Sequence, residues 1–375
     1  MTPVEELSKL LRPAGGGLYL VSTGRAEQSS FMRRFYGADD DEDVTERFVA
    51  QLHRIAQAKV VLMGVPSDVG AGFRRGANLG PQALREELLR ADAGFGAYCD
   101  RHSVVDIGDV FVVPQLLHDD MLSAPQLERS RAALYPELTP QERASFPVSP
   151  LSIAKRAWSL VLQINPSAKP LLLGGDHSTA WPVVEALHAA QQSFCIVQMD
   201  AHTDLLKERL GVELCFATWS YHANDLIGRE RRLIQVGVRA TQRPREHWES
   251  TLDVRQVWPS DFSGDEPGLV DAVVAAARET GLPVYLSNDI DGTDSAQADA
   301  TGTPEPDGLS EAVVTEIIQR LGREAGLVGA DLVEVAPGLG ADGGTRTVQL
   351  GARYLRASLD ALLKARPSAG TSSLR

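Results

Sequence analysis

Six residues of two chemical types stand where apolar runs end in this chain of 375 residues: His177 in Gly174-Gly175-Asp176-His177-Ser178; Asp200, His202 and Asp204 in Asp200-Ala201-His202-Thr203-Asp204; and Asp289 and Asp291 in Ser287-Asn288-Asp289-Ile290-Asp291. In an extended backbone residues 200, 202 and 204 point to one side, because side chains alternate with period two. Taken singly, each Asp reads equally well as a turn former or a helix N-cap. Taken together, four carboxylates and two imidazoles form a donor set for two hard-to-borderline divalent ions, Mn(II) first, with Ni(II) and Co(II) as alternatives. Carboxylates can bridge two ions roughly 3.5–4 Å apart, and the pair lowers the pKa of a shared water. A structural zinc site would call for thiolates, and Cys99, Cys195 and Cys215 form neither a CxxC pair nor an even disulfide set.

Each of these clusters follows a strand pattern. Strands are predicted at 59–66, 103–110, 169–174, 194–199, 232–238, 254–258, 282–291 and 331–335, alternating with helices at about 81–93, 152–164, 267–280, 310–326 and 347–364. Pro81 opens its helix at the first turn, where a missing N–H costs nothing. The fold class this implies is α/β: three layers, with a mainly parallel sheet of about eight strands covered on both faces. In such sheets ligands bind beyond the carboxyl ends of the strands, where all six residues fall. Residues 1–50 read as an N-terminal extension packed on one catalytic domain spanning 51–365. The Ser/Gly-rich stretch 366–375 reads as a frayed tail. The acidic run Asp39–Asp43 reads as a solvated loop. Residues 113–150 are proline-rich and too long for an ordinary connection, which suggests an insertion with short helices, a lid over the site or an oligomer contact, with His118 on an exposed loop.

Composition bounds the partners. With 50 acidic against 37 basic residues the formal charge is −13, which argues against nucleic acid or an anionic membrane and favours small cationic ligands. The N-terminus lacks a basic region followed by an apolar one, and no apolar run approaches the ~20 residues needed to span a bilayer. A cytoplasmic, soluble protein is the expectation. Cys195 sits inside a strand as a small buried hydrophobe.

The segments GGDHS (174–178), DAHTD (200–204) and SNDIDGTD (287–294), supported by RRGANLGPQALR (74–85), TGTPEPDGLS (301–310) and DLVEVAP (331–337), resemble the motifs of the arginase/agmatinase (ureohydrolase) family over about residues 59–364. The resemblance implies a binuclear-metal amidinohydrolase that converts a guanidino compound (agmatine, guanidinobutyrate, guanidine or similar) to urea and an amine. It implies that His177, Asp200, Asp204 and Asp289 hold one ion. Asp200 and Asp289 then bridge to a second, held also by His202 and Asp291. Glu334 matches the acid that pairs with the guanidinium, Asp204 would relay a proton, and Asp176 and Ser178 would orient the His177 imidazole. Asp294 would serve a helix start or orient the ligands from behind rather than hold a metal. Relatives are commonly trimers or hexamers, so a homo-oligomer is implied. The chain departs from the family at Leu214–Trp219, where a His-Gly pair is usual. His222 is the nearest substitute, while Phe216 and Trp219 would wall the pocket or stack on a guanidinium. Asn288, where a Phe is common, would reshape the same pocket. Two alternatives keep the fold: action on a formimino or amide C–N bond, and a binding or regulatory member with weakened catalysis.

Overall fold

Val60–Val65 (β2) is buried at every position, and its side chains divide between two cores by strand alternation. Val61 and Met63 join a core with Phe48, Leu52, Trp158 and Leu187 on one face. Val60 and Leu62 join Leu84, Val273, Ile317 and Leu355 on the other. A strand buried on both sides must be apolar throughout, which is why it reads as a continuous run. The computed structural model describes residues 1–364, so the tail expected at 366–375 lies outside the described residues.

The sheet has nine strands among the described residues. Besides β2 they are Leu11–Arg12 (β1), Val104–Val110 (β3), Lys169–Gly174 (β4), Cys195–Met199 (β5), Leu233–Val236 (β6), Arg255–Val257 (β7), Val284–Asn288 (β8) and Leu327–Leu332 (β9). Their order is β1-β3-β2-β4-β9-β8-β5-β6-β7. Every pairing is parallel except β1 with β3. Helices over 80–91, 266–279, 311–324 and 345–363 cover one face, and those over 3–10, 41–53, 150–164 and 181–189 the other. The three-layer α/β/α reading therefore holds, and Cys195 is buried in the strand where it was expected.

Four expectations change. The ninth strand comes from the N-terminal segment: Leu11 pairs with Val110 and Arg12 with Asp109, so residues 1–50 extend the sheet as well as packing on it. The acidic run opens a helix. Asp40 Oδ1 accepts from the backbone N–H groups of Glu42 (3.0 Å) and Asp43 (2.9 Å), and acidic side chains in the first turn of Asp41–His53 complement the helix dipole. The last strand begins at Leu327, earlier than its predicted start at 331, because Gly326 at φ 79° turns the chain straight out of the preceding helix. Residues 113–150 carry the short helices expected, Ala124–Leu134 and Pro140–Arg143, but bury Tyr135, Phe146 and Val148 in the first core, and none of them lines the cavity over the site.

Candidate metal centre at the carboxyl ends of four neighbouring strands

β4, β9, β8 and β5 are consecutive in the sheet; three of them lead into the predicted cluster, with His177 after β4, Asp289 after β8 and Asp200 after β5, and β9 leads into Glu334. The loops must come very close. A Cβ on Gly175 would lie 1.9 Å from the Ser67 carbonyl oxygen, and one on Gly292 2.8 Å from the Asp200 nitrogen, so only glycine serves at either place. Asp204 and Glu334 have left-handed backbones, with φ of 49° and 61°. For glutamate that conformation costs of the order of 1–3 kcal/mol, a strain that clusters at functional sites.

All six proposed ligands meet. His177 Nδ1 lies 3.2 Å from Asp200 Oδ2, 3.1 Å from Asp204 Oδ2 and 3.0 Å from Asp289 Oδ2. His202 Nδ1 lies 3.1 Å from Asp291 Oδ2 and 3.5 Å from Asp200 Oδ1. Two groups of three, His177-Asp200-Asp204 and Asp200-His202-Asp291, thus share Asp200. His177 Nδ1 is buried and has no hydrogen-bond partner of acceptable geometry. A buried nitrogen 3.0–3.2 Å from three carboxylate oxygens, without hydrogen-bond geometry to any of them, fits a cation held between them.

The electrostatics tell the same story. Burial works against a charged imidazole, yet Asp200, Asp204 and Asp289 raise His177 well above its ordinary value. His202 is likewise opposed by burial and pushed up to about 12 by Asp291 and Asp200. Burial, then the neighbouring Asp200 charge, lifts Asp204 to about 6; burial, then Asp291 and Asp200, raises Asp289. Carboxylates crowded so closely call for positive charge.

The supporting bonds differ from those expected. Asp176 and Ser178 bond mainly to each other and to backbone: Asp176 Oδ1 accepts from Ser178 N (2.9 Å) and Oδ2 from Gly70 N (3.0 Å). The imidazole of His177 is held instead by Ser287, whose Oγ is 3.0 Å from Nε2 and donates to Asp331 Oδ1 at 3.0 Å. Asp331 also accepts from Tyr285 OH (2.7 Å) and Asn288 N (3.0 Å). An Asp within an apolar strand was the only sequence signal for it. Asp200 Oδ2 accepts from Gln198 Nε2 at 2.7 Å. Arg239, which the sequence did not single out, donates to the carbonyls of Asp291 (2.8 Å), Glu305 (2.8 Å) and Pro306 (2.7 Å) and so fixes the Asp291 loop. Asp294 clamps a turn through Ala296 N (2.8 Å) and Gly308 N (3.0 Å).

A cavity of about 510 Å³ opens over the centre, lined by His202, Asp204, Phe216 and Glu334 among others. Glu334 Oε1 accepts from His177 N at 2.9 Å, and burial, then the Asp176 charge, raises its carboxyl above the usual range. Three pocket expectations fail. His222 faces away from the cavity, with Nε2 3.0 Å from the Lys207 carbonyl oxygen and 3.1 Å from that of Glu213, because it lies on the helix Trp219–Leu226 with its ring turned to the 207–213 loop. Trp219 is fully buried. It backs the centre, donating from Nε1 to Asp204 Oδ2 (3.2 Å) with its ring 4.6 Å from that of His177. Asn288 is buried outside the cavity, since strand alternation sends it to the face opposite Ser287 and Asp289. No residue of 113–150 lines the cavity, and His118 caps the Asp120 N–H at 3.3 Å on the surface loop.

Residues 58–359 match the family model described as the arginase family. The chain is 31% identical to a guanidinobutyrase of Pseudomonas aeruginosa, covering 78% of this chain and 83% of that protein. It is also 31% identical to a mitochondrial agmatinase of Gallus gallus, covering 78% of each. Its structure superposes on the proclavaminate amidino hydrolase of Streptomyces clavuligerus with a TM-score of 0.62 at 26% identity, over 82% of this chain and 93% of that one.

Proposed function

The chain belongs to the arginase family and is a hydrolase of amidino C–N bonds; we propose that His177, Asp200, His202, Asp204, Asp289 and Asp291 are its metal ligands and that a guanidino compound is cleaved above them to urea and an amine. The observation that carries this assignment is the buried, unpartnered His177 Nδ1 facing three carboxylate oxygens. Two divalent ions bound there would neutralise the carboxylates and lower the pKa of a water between them. Oxygen and imidazole donors without thiolate favour Mn(II).

The chain's own residues supply the rest. Glu334, in the cavity wall and anchored to His177 N, accepts from guanidinium N–H groups and orients the carbon toward the centre. The orphaned acceptors of an acidic floor reject a neutral group in its place. Asp204 also lines the cavity; it takes the proton from the attacking water and returns it to the departing nitrogen. Water and the guanidinium thereby become urea and an alkylammonium, with charge conserved. Asp204 and Glu334 share this work without His222. Among the described residues no helix is long and apolar enough to cross a membrane; we take the working form as a cytoplasmic homo-oligomer.

A screen of guanidino compounds for urea release after Mn(II) loading tests the reading. It predicts activity on at least one compound, abolished by His202→Ala and by Asp289→Ala. Activity unchanged in both variants would refute the assigned centre.

A further inference from the structure

The cavity over the centre is lined by side chains of both charges. Its floor is acidic, with Asp204 and Glu334, while three arginines line it as well: Arg74, Arg209 and Arg243. They arrive from three separate strand-end loops, those following β2, β5 and β6. Among the described residues none of the three forms a side-chain ion pair or hydrogen bond. Their neighbours behave differently: Arg75 donates to the Asp68 carbonyl oxygen at 2.8 Å, and Arg245 pairs with Asp261. Arg209 is set over the Phe216 ring, 4.9 Å from its centroid, a cation–π contact that orders one guanidinium at the wall of the cavity. In a chain of net charge −13, three unpaired guanidiniums around one cavity form a local exception.

We propose that the substrate is an ω-guanidino carboxylate, its guanidinium directed to the acidic floor and its carboxylate received by Arg74, Arg209 and Arg243. This deepens the amidinohydrolase reading and rests on it for the orientation of the guanidinium. Guanidinium forks match a carboxylate bidentately, and such charge-assisted bonds are stronger than neutral ones. An aminoalkylguanidine, with an ammonium at the same end, would place a cation among three cations. Free guanidine would leave the arginines without a ligand and most of about 510 Å³ empty. The notion of a simply cationic substrate, drawn from the overall charge, is thereby refined to a zwitterion.

The test is calorimetric binding, alongside urea release, of length-matched pairs to the Mn(II)-loaded enzyme: ω-guanidino acids of three to six carbons against the corresponding ω-aminoalkylguanidines, 4-guanidinobutyrate and agmatine among them. The best acid is expected to bind at least about tenfold more tightly than its matched amine, the size of one partly screened charge-assisted hydrogen bond. Arg74→Gln, Arg209→Gln and Arg243→Gln should each weaken the acid and strengthen the amine. An amine bound as well as or better than every acid would overturn the proposal, as would variants that weaken both alike. Urea released by no compound in the series, with acid binding and its dependence on the arginines intact, would sink the hydrolase reading while leaving the arginine-lined carboxylate subsite standing.

Discussion

Two clusters of buried carboxylates flank the same sheet, and they are built on opposite plans. At the β2–β3 end Arg85 is fully buried and donates to Asp106 through Nε (2.8 Å) and Nη2 (3.0 Å), and to Asp109 through Nη1 (2.5 Å). The remaining acceptors are filled by backbone, with Gly15 N on Asp109 Oδ2 at 2.7 Å and Gly108 N on Asp106 Oδ1 at 2.9 Å. That cluster carries its own cation and is complete. The centre between β4 and β5 gathers four carboxylates around two imidazoles and leaves His177 Nδ1 without a partner. A buried charge group completed by the chain is scaffold; one left incomplete is a receptor for ions from solution.

The largest expected effect lies at the receptor. His202→Ala or Asp289→Ala removes several kcal/mol of transition-state stabilisation, roughly a thousandfold or more in urea release. The metal-free Asp289→Ala variant should melt no lower than the metal-free parent, because crowded negative charge has been relieved, whereas metal-free His202→Ala loses the stability its cation contributes. Next comes the scaffold: Arg85→Met leaves Asp109 buried and uncompensated, and should lower unfolding stability by about 3–5 kcal/mol. Denaturant titration reads that loss, and added Mn(II) should not restore it; restoration would erase the distinction between the clusters. Smaller again is Asp331→Asn, which frees Ser287 and the His177 ring and should weaken metal binding about 10–100-fold with the fold intact.

The smallest effect is a proton count. His202, opposed by burial yet raised from 6.5 to about 12 by Asp291 and Asp200, is cationic at neutral pH without metal, and His177, opposed likewise, is shifted in the same direction by Asp200, Asp204 and Asp289. For His202 the contribution to metal-free stability is complete below 6.5 and fades as pH rises toward about 12. Ligation needs neutral imidazole, so metal uptake at pH 7 should release protons and tighten as pH rises. Calorimetry in buffers of differing ionisation enthalpy reads the release; uptake with no proton released would contradict the assignment of these imidazoles.

The same contrast explains what could be read from the sequence. Ligands cluster at strand ends, within five residues for 200–204, so strand pattern and residue type together located all six residues that the structure brings into one place. The Arg85 cluster joins residues 21 to 24 positions apart by pure tertiary packing, and it left no local trace. Arg239 and Asp331 were missed for that reason: a guanidinium bonded to carbonyls and a carboxylate inside a strand have no spacing signature. His222, Trp219 and Asn288 are close to the ligands along the chain, but closeness along the chain does not bring them to the cavity wall. The helix at Trp219–Leu226 turns His222 outward and Trp219 inward, and strand alternation turns Asn288 away. The three arginines of the cavity came from loops whose approach only the fold reveals.

The centre proposed above holds two ions on these six residues, with Asp200 common to both. Metal analysis of the parent, His177→Ala and His202→Ala after Mn(II) loading and exhaustive dialysis tests it most directly. About two ions per parent chain and about one in each variant are expected; a parent that retains urea release with no ion, or variants that keep the parent's metal content, would overturn the assignment.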